Sequence, residues 1–150
     1  MSWRVAKALE VLRDEIDAAA PERSKVSDGY VGDQRHAARR SDHNACDCHD
    51  VVCAADWTHD PAAGFDSYLF AEWLRHRVAA GAEPRVKYVI SDGRIFSGEH
   101  QPHACGVWRR YTGSNPHAHH VHVSVRHGAE FYDDPVPWHW PPPGDKETTS

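Results

Sequence analysis

Residues 120–125 read His-Val-His-Val-Ser-Val, a strict alternation of polar and apolar side chains. Alternation of this kind fits a strand with one polar and one apolar face, because successive strand side chains point to opposite sides. His120 and His122 then share a face, about 7 Å apart at Cα. Any fold for this chain must bury Val121, Val123 and Val125 while presenting both imidazoles on the other side. The strand lies in a histidine-rich stretch, within a chain of 150 residues that holds 13 histidines. Histidine titrates near neutrality and is the commonest metal ligand, so the surplus points towards metal. A histidine-rich tract also binds metal adventitiously, and a single histidine is more often an ordinary hydrogen-bonded residue.

The rest of the chain supplies a setting for that strand. Val5, Leu9, Leu12 and Ile16, with Ala8 and Val11, recur at helical spacing, and Pro21 stops the pattern. Residues 21–50 are polar and rich in Asp, Arg, His and Gly, and read as a loop. Val51 to Ala55 is a short apolar run fit for a buried strand, with Asp56 directly after it. Thr58-His59-Asp60-Pro61 reads as a turn, and a second helix is expected from about Gly64 to Ala80, with Gly81 as its C-cap. Val86 to Ile90 reads as a strand, Ser91-Asp92-Gly93-Arg94 as a hairpin turn, and Ile95-Phe96 as the start of the return strand. A short strand or turn is expected at Trp108 to Tyr111. Trp57, Trp73 and Trp108 read as core or pocket wall. This order predicts an α+β fold, a small antiparallel sheet flanked by helices. Residues 1–134 are expected to form the single domain, and the proline-rich residues 135–150 a mobile tail.

Composition narrows the function. A hydrophobic fraction of 40% and a charged fraction of 26% suit one modest core and rule out wholesale disorder. The net charge of −5 argues against a general nucleic-acid surface. No apolar run approaches the roughly 18 residues of a membrane helix, and no uninterrupted apolar segment follows Met1. The expectation is therefore synthesis in the cytoplasm without a signal peptide, with any cell-wall target reached after release or export. In a reducing compartment Cys46, Cys48, Cys53 and Cys105 read as thiols or metal ligands rather than disulfides. Cys46 and Cys48 with His49 could hold a second zinc, although the paired spacing of structural zinc sites is absent.

Three segments carry chemistry: Ser41-Asp42-His43-Asn44, Ala54-Ala55-Asp56-Trp57, and the tract from His117 to Val125. Asp56 offers a carboxylate at a strand, His43 an imidazole from the preceding loop, and the His120/His122 pair a further ligand with a neighbour able to reach water. Two histidines and one carboxylate leave a coordination position open, the arrangement of catalytic rather than structural zinc.

These segments resemble the zinc peptidase superfamily of D-Ala-D-Ala carboxypeptidases, phage endolysin peptidases and hedgehog-like domains. Ser41-x-His43, the strand ending Ala54-x-Asp56, and His120-x-His122 carry the resemblance. Gly32-Asp33, His36, Asp56-Trp57-Thr58-His59-Asp60-Pro61, Tyr88-Val89-Ile90-Ser91 and Tyr111-x-Gly113-x-Asn115-Pro116-His117 are similar to the actinobacteriophage endolysin type. The match runs from about Gly29 to Val125. It implies that His43, Asp56 and His122 bind one zinc ion, that His120 is the general base, and that His117 stabilises the oxyanion. The implied activity is hydrolysis of a peptide bond in a peptidoglycan stem peptide, and the chain is expected to act as a monomer. Asp50 sits at the family's usual spacing from His43, whereas Asp56 lies farther on, so both carboxylates stand as candidates; Asp56 is preferred because a strand fixes it. Arg39 and Arg40 could hold a stem-peptide carboxylate. Two competing readings are a non-catalytic zinc-binding module and a metal-dependent His-Asn-His-type nuclease, suggested by His43-Asn44.

Overall fold

A computed structural model of the chain describes residues 4–30, 51–99 and 101–143. The fold is α+β, with a small antiparallel sheet and a few helices.

Strand β1 (Arg4–Val5) leads into helix α1 (Lys7–Ala19). Ala8, Leu9, Leu12 and Ile16 form its buried stripe, at the spacing that brings one helix face to a core. Ala20 closes the helix and Pro21 follows. The expected apolar strand at Val51 to Ala55 is split. Val51–Val52 (β2) pairs in parallel with β1, and Ala54–Thr58 (β3) joins the main sheet. Asp56 therefore lies in the middle of β3 and not after its end. A short 3-10 turn at Pro61–Ala63 precedes helix α2 (Ser67–Ala79). The helix starts three residues later than the expected Gly64 because the Asp66 side chain caps it, accepting from the Tyr68 and Leu69 N–H groups. Gly81, at φ 76, stops it.

Strands β4 (Val86–Ser91) and β5 (Arg94–Ser97) form a hairpin. Asp92 and Gly93 at its tip have φ of 49 and 77, the paired positive values of a two-residue type I′ turn. Arg109–Arg110 is β6, His120–Val125 is β7, and Ala129–Tyr132 is a single helical turn, α3. The strand order is β3-β7-β4-β5-β6, every pair antiparallel. The histidine strand β7 is thus held between two neighbours.

One face of this sheet is core. Ala55, Trp57, Val89, Phe96, Val121, Val123 and Val125 pack in one cluster with Leu9, Leu12 and Ile16 of α1 and Phe70, Ala71, Leu74 and Val78 of α2. The segment expected to be a mobile tail is partly built into the same core. Trp138 is fully buried, and its Nε1 donates to Ala8 O at 2.8 Å. The Glu15 carboxylate accepts from the backbone N–H groups of Trp138 and Trp140, each at 2.8 Å. Arg85, paired with Glu83, donates to the Asp134 and Val136 carbonyls and lies over the Trp138 ring. A large aromatic that reaches a buried carbonyl with its N–H overrides the local signal of the surrounding prolines.

Candidate metal centre

The other face of the sheet is polar. Asp56 on β3 stands directly opposite His122 on β7, and Thr58 opposite His120. The Asp56 backbone is held from its other edge by Gly29, with which it exchanges two hydrogen bonds. Its carboxylate is held between two imidazoles: Oδ1 lies 3.1 Å from His122 Nδ1 and Oδ2 3.4 Å from His120 Nε2. Two donors each about 2.0–2.1 Å from one tetrahedral ion stand about 3.3 Å apart, so both separations suit a shared metal as well as a direct contact.

His122 is tightly fixed. It is 4% exposed, its Nε2 meets Ser124 Oγ at 2.8 Å, and its ring stacks on Tyr88 at 5.3 Å between centroids. If Nε2–H donates to the serine hydroxyl, Nδ1 carries the lone pair that faces Asp56. An outer partner that fixes the tautomer in this way is what metal-binding histidines ordinarily have.

His117 arrives from the loop before β7, with φ of 59. The loop is tied down at several points. Asn115 Oδ1 accepts from His117 N at 3.0 Å, while Asp92 N donates to His117 O and Gly93 N to Pro116 O. Farther on, Tyr68 donates its hydroxyl to Ala118 O and His59 N donates to His119 O. His117 Nδ1 lies 2.7 Å from Asn115 O. A carbonyl only accepts, so Nδ1 carries the proton and, in the neutral ring, Nε2 presents a lone pair. Burial, followed by the neighbouring His122, pushes the His117 pKa down to about 4, although Asp56 pulls the other way. The ring packs 4.7 Å from His120 and 5.3 Å from His122 between centroids.

Asp56, His117 and His120 each place a donor atom within 4.8 Å of the others, close enough for the three to hold one metal ion. One carboxylate and two imidazoles match the open zinc donor set. The structure thus gathers four of the residues expected from sequence: Asp56, His117, His120 and His122. His43, the remaining expected ligand, lies outside the described residues, as do Asp50, Arg39, Arg40, Cys46, Cys48 and His49. His59 is held away from the cluster: its Nδ1 accepts from Ser67 N at 3.0 Å and its ring stacks on Tyr68. His119 is exposed at the entry to β7.

Sequence reasoning gives no role in the site to Ser124, Tyr88, Asn115 or Tyr111, although the last three belong to the segments that carry the resemblance. Ser124 was within reach of it, because it follows His122 by two in an alternating strand and so shares its face. Tyr88 joins the site only through the β4–β7 register, which no local pattern encodes. Comparisons of the chain with family models, with curated proteins and with solved structures find no match. Among the described residues no helix is long and apolar enough to cross a membrane.

Proposed function

We propose that this chain is a zinc-dependent peptidase that hydrolyses a peptide bond in peptidoglycan stem peptides. It would act as a carboxypeptidase or an endolysin-type endopeptidase, on a hedgehog/D-Ala-D-Ala-peptidase-like fold. The observation that carries the reading is the Asp56 carboxylate lying between His120 and His122 on one sheet face, with His117 beside them. In this reading His43, Asp56 and His122 hold one zinc ion, His122 through Nδ1 with Nε2 anchored on Ser124. Zinc, when bound, would polarise the scissile carbonyl and lower the pKa of its water towards about 7. His120, less buried than His122, takes the proton from the attacking water and returns it to the leaving amine. The Asp56 carboxylate near His120 Nε2 favours the imidazolium formed in between. Oxyanion donation by His117, the role the resemblance implies, needs its protonated ring, because the Nδ1–H is already committed to Asn115 O.

A second ligand set has an observation of its own, the 4.8 Å grouping of Asp56, His117 and His120. There His117 Nε2 is a ligand and His122 a positioning residue. Zinc content separates the sets: His122→Ala releases the metal in the first, His117→Ala in the second. Neither set calls for nucleic acid, and the histidines stand on a strand rather than in the ββα finger of a His-Asn-His nuclease. The enzyme would meet its wall substrate as a monomer after release or export from the cytoplasm.

The deciding variant is His120→Ala. It should keep stoichiometric zinc and lose cleavage of purified stem peptides by about 10²–10⁴-fold, the usual contribution of a positioned base. Undiminished cleavage would reject His120 as the base. No cleavage by the zinc-loaded wild type would favour a non-catalytic zinc-binding module.

A further inference from the structure

The far edge of the sheet carries an unbalanced charge. Arg94, Arg109 and Arg110 lie on the paired strands β5 and β6, and Arg94 stands directly opposite Arg110. Like charges opposed across strands are unfavourable, and among the described residues none of the three makes an ion pair. The chain as a whole has net charge −5, so carboxylates are plentiful elsewhere. Arg94 is accounted for: its guanidinium covers the Trp108 ring at 4.4 Å on the helix side of the sheet.

Arg109 points the other way. It pairs with Ile95, Ile95 with Ile90, and Ile90 with His122, so all four stand in one row on the polar face. The side-chain contacts agree. Arg109 is half-buried and its Nη1 donates to Ser97 Oγ at 3.1 Å. Ser97 is the cross-strand partner of Tyr88, whose ring stacks on His122. A second path leads to the same place. Tyr111 N donates to Gly93 O and so continues the β5–β6 ladder, which sets Tyr111 on the same face as Arg109. The Tyr111 ring meets the edge of His117 at 6.0 Å between centroids. Three strand spacings, about 14 Å, separate the Cα atoms of Arg109 and His122. The length of the arginine side chain shortens that gap to the span of about two to three extended peptide residues.

We propose that Arg109 is the specificity residue of the site, binding a carboxylate of the substrate peptide that lies about two to three residues from the cleaved bond. The proposal rests on the peptidase reading above. A guanidinium offers five N–H donors in a planar fork, and Ser97 takes one, leaving a bidentate edge for a carboxylate. Half-burial weakens competition from water, so an incoming carboxylate gains more than it would at an open surface. The substrate class is therefore an acidic peptide rather than a neutral one.

The test uses the zinc-loaded protein and a synthetic stem peptide whose carboxylates are amidated one at a time. The wild type should show KM raised about 10–100-fold by amidation of one particular carboxylate, with kcat little changed. In Arg109→Gln that carboxylate should no longer matter, and in Arg109→Lys the preference should return in part, with zinc content and melting temperature unchanged in both. A preference that survives Arg109→Gln, or a loss that falls on kcat for every peptide alike, would overturn the proposal. If the wild type cleaves no peptide, calorimetric binding of the same series decides. Tighter binding of the free carboxylate that is lost in Arg109→Gln keeps the anchor while removing the peptidase, and equal binding of all forms overturns the anchor.

Discussion

Asp56 and Trp57 are neighbours on β3 and serve opposite ends. Trp57 turns to the helix side, is fully buried, and joins the core of α1 and α2. Asp56 turns to the other side and meets polar atoms, among them two imidazoles and, through the backbone, Gly29. The same division runs through β7, where Val121, Val123 and Val125 are core while His120, His122 and Ser124 form the site. One sheet thus carries the core on one face and the candidate metal centre on the other. The apolar face holds the strands rigid, and rigid strands keep donor atoms at metal-binding separation.

The division can be broken from either side. The largest effect should come from Trp57→Ala, which empties a fully buried site in the core. We expect a loss of about 3–5 kcal/mol in chemical denaturation, with metal affinity falling only as folded protein is lost. Asp56→Ala should do the reverse. It costs the metal-free fold about 1–3 kcal/mol through the imidazoles it strands. Zinc affinity should fall by more than about 100-fold, beyond the range of outer-shell changes. If zinc titration finds Asp56→Ala binding as tightly as the wild type, the carboxylate is not a ligand.

Ser124→Ala should give a smaller change, about 10–100-fold in zinc affinity, because the hydroxyl only orients His122. An unchanged affinity would show that Ser124 does not position a ligand.

The smallest expected effect sharpens the contrast between polar groups that act and polar groups that hold. Asp28 accepts from both arms of Arg23, at 2.9 and 2.8 Å, and from the Thr58 N–H and hydroxyl, each at 2.8 Å. Burial pushes its carboxyl up, but Arg23 and Thr58 outweigh that and hold it below the usual carboxylate range. A depressed folded pKa adds stability above the unfolded value of about 3.9, and that stability drains away as the pH falls through the folded value. Asp28→Asn should therefore flatten the acid limb of a stability–pH curve and leave zinc binding untouched. A steeper acid limb in the variant would contradict the sign of the shift.

Much of the scaffold was legible because its signals are local. The 3.6-residue stripe of α1, the Asp-Gly turn of the β4–β5 hairpin and the alternation of β7 each specify an element within a few residues. Asp56 stood out in the sequence, yet its place inside β3 did not, since five apolar residues look like one strand where Cys53 divides two. The docking of Trp138 was hidden for a different reason. Its partners, Ala8 O and Glu15, lie more than a hundred residues earlier, and prolines on either side imitate a tail. The placement of Arg109 on the polar face was invisible because it depends on a two-residue strand paired through β5. Registers between distant strands, not residue types, decided these cases.

The central claim is that the polar face cleaves peptidoglycan stem peptides with a bound metal. Its most direct test is mass spectrometry of purified muropeptides after incubation with the zinc-loaded protein. The account predicts a new pair of fragments, differing from the parent by one water and absent when Asp56→Ala replaces the wild type. An unchanged muropeptide profile, with stoichiometric zinc shown to be bound, would contradict it.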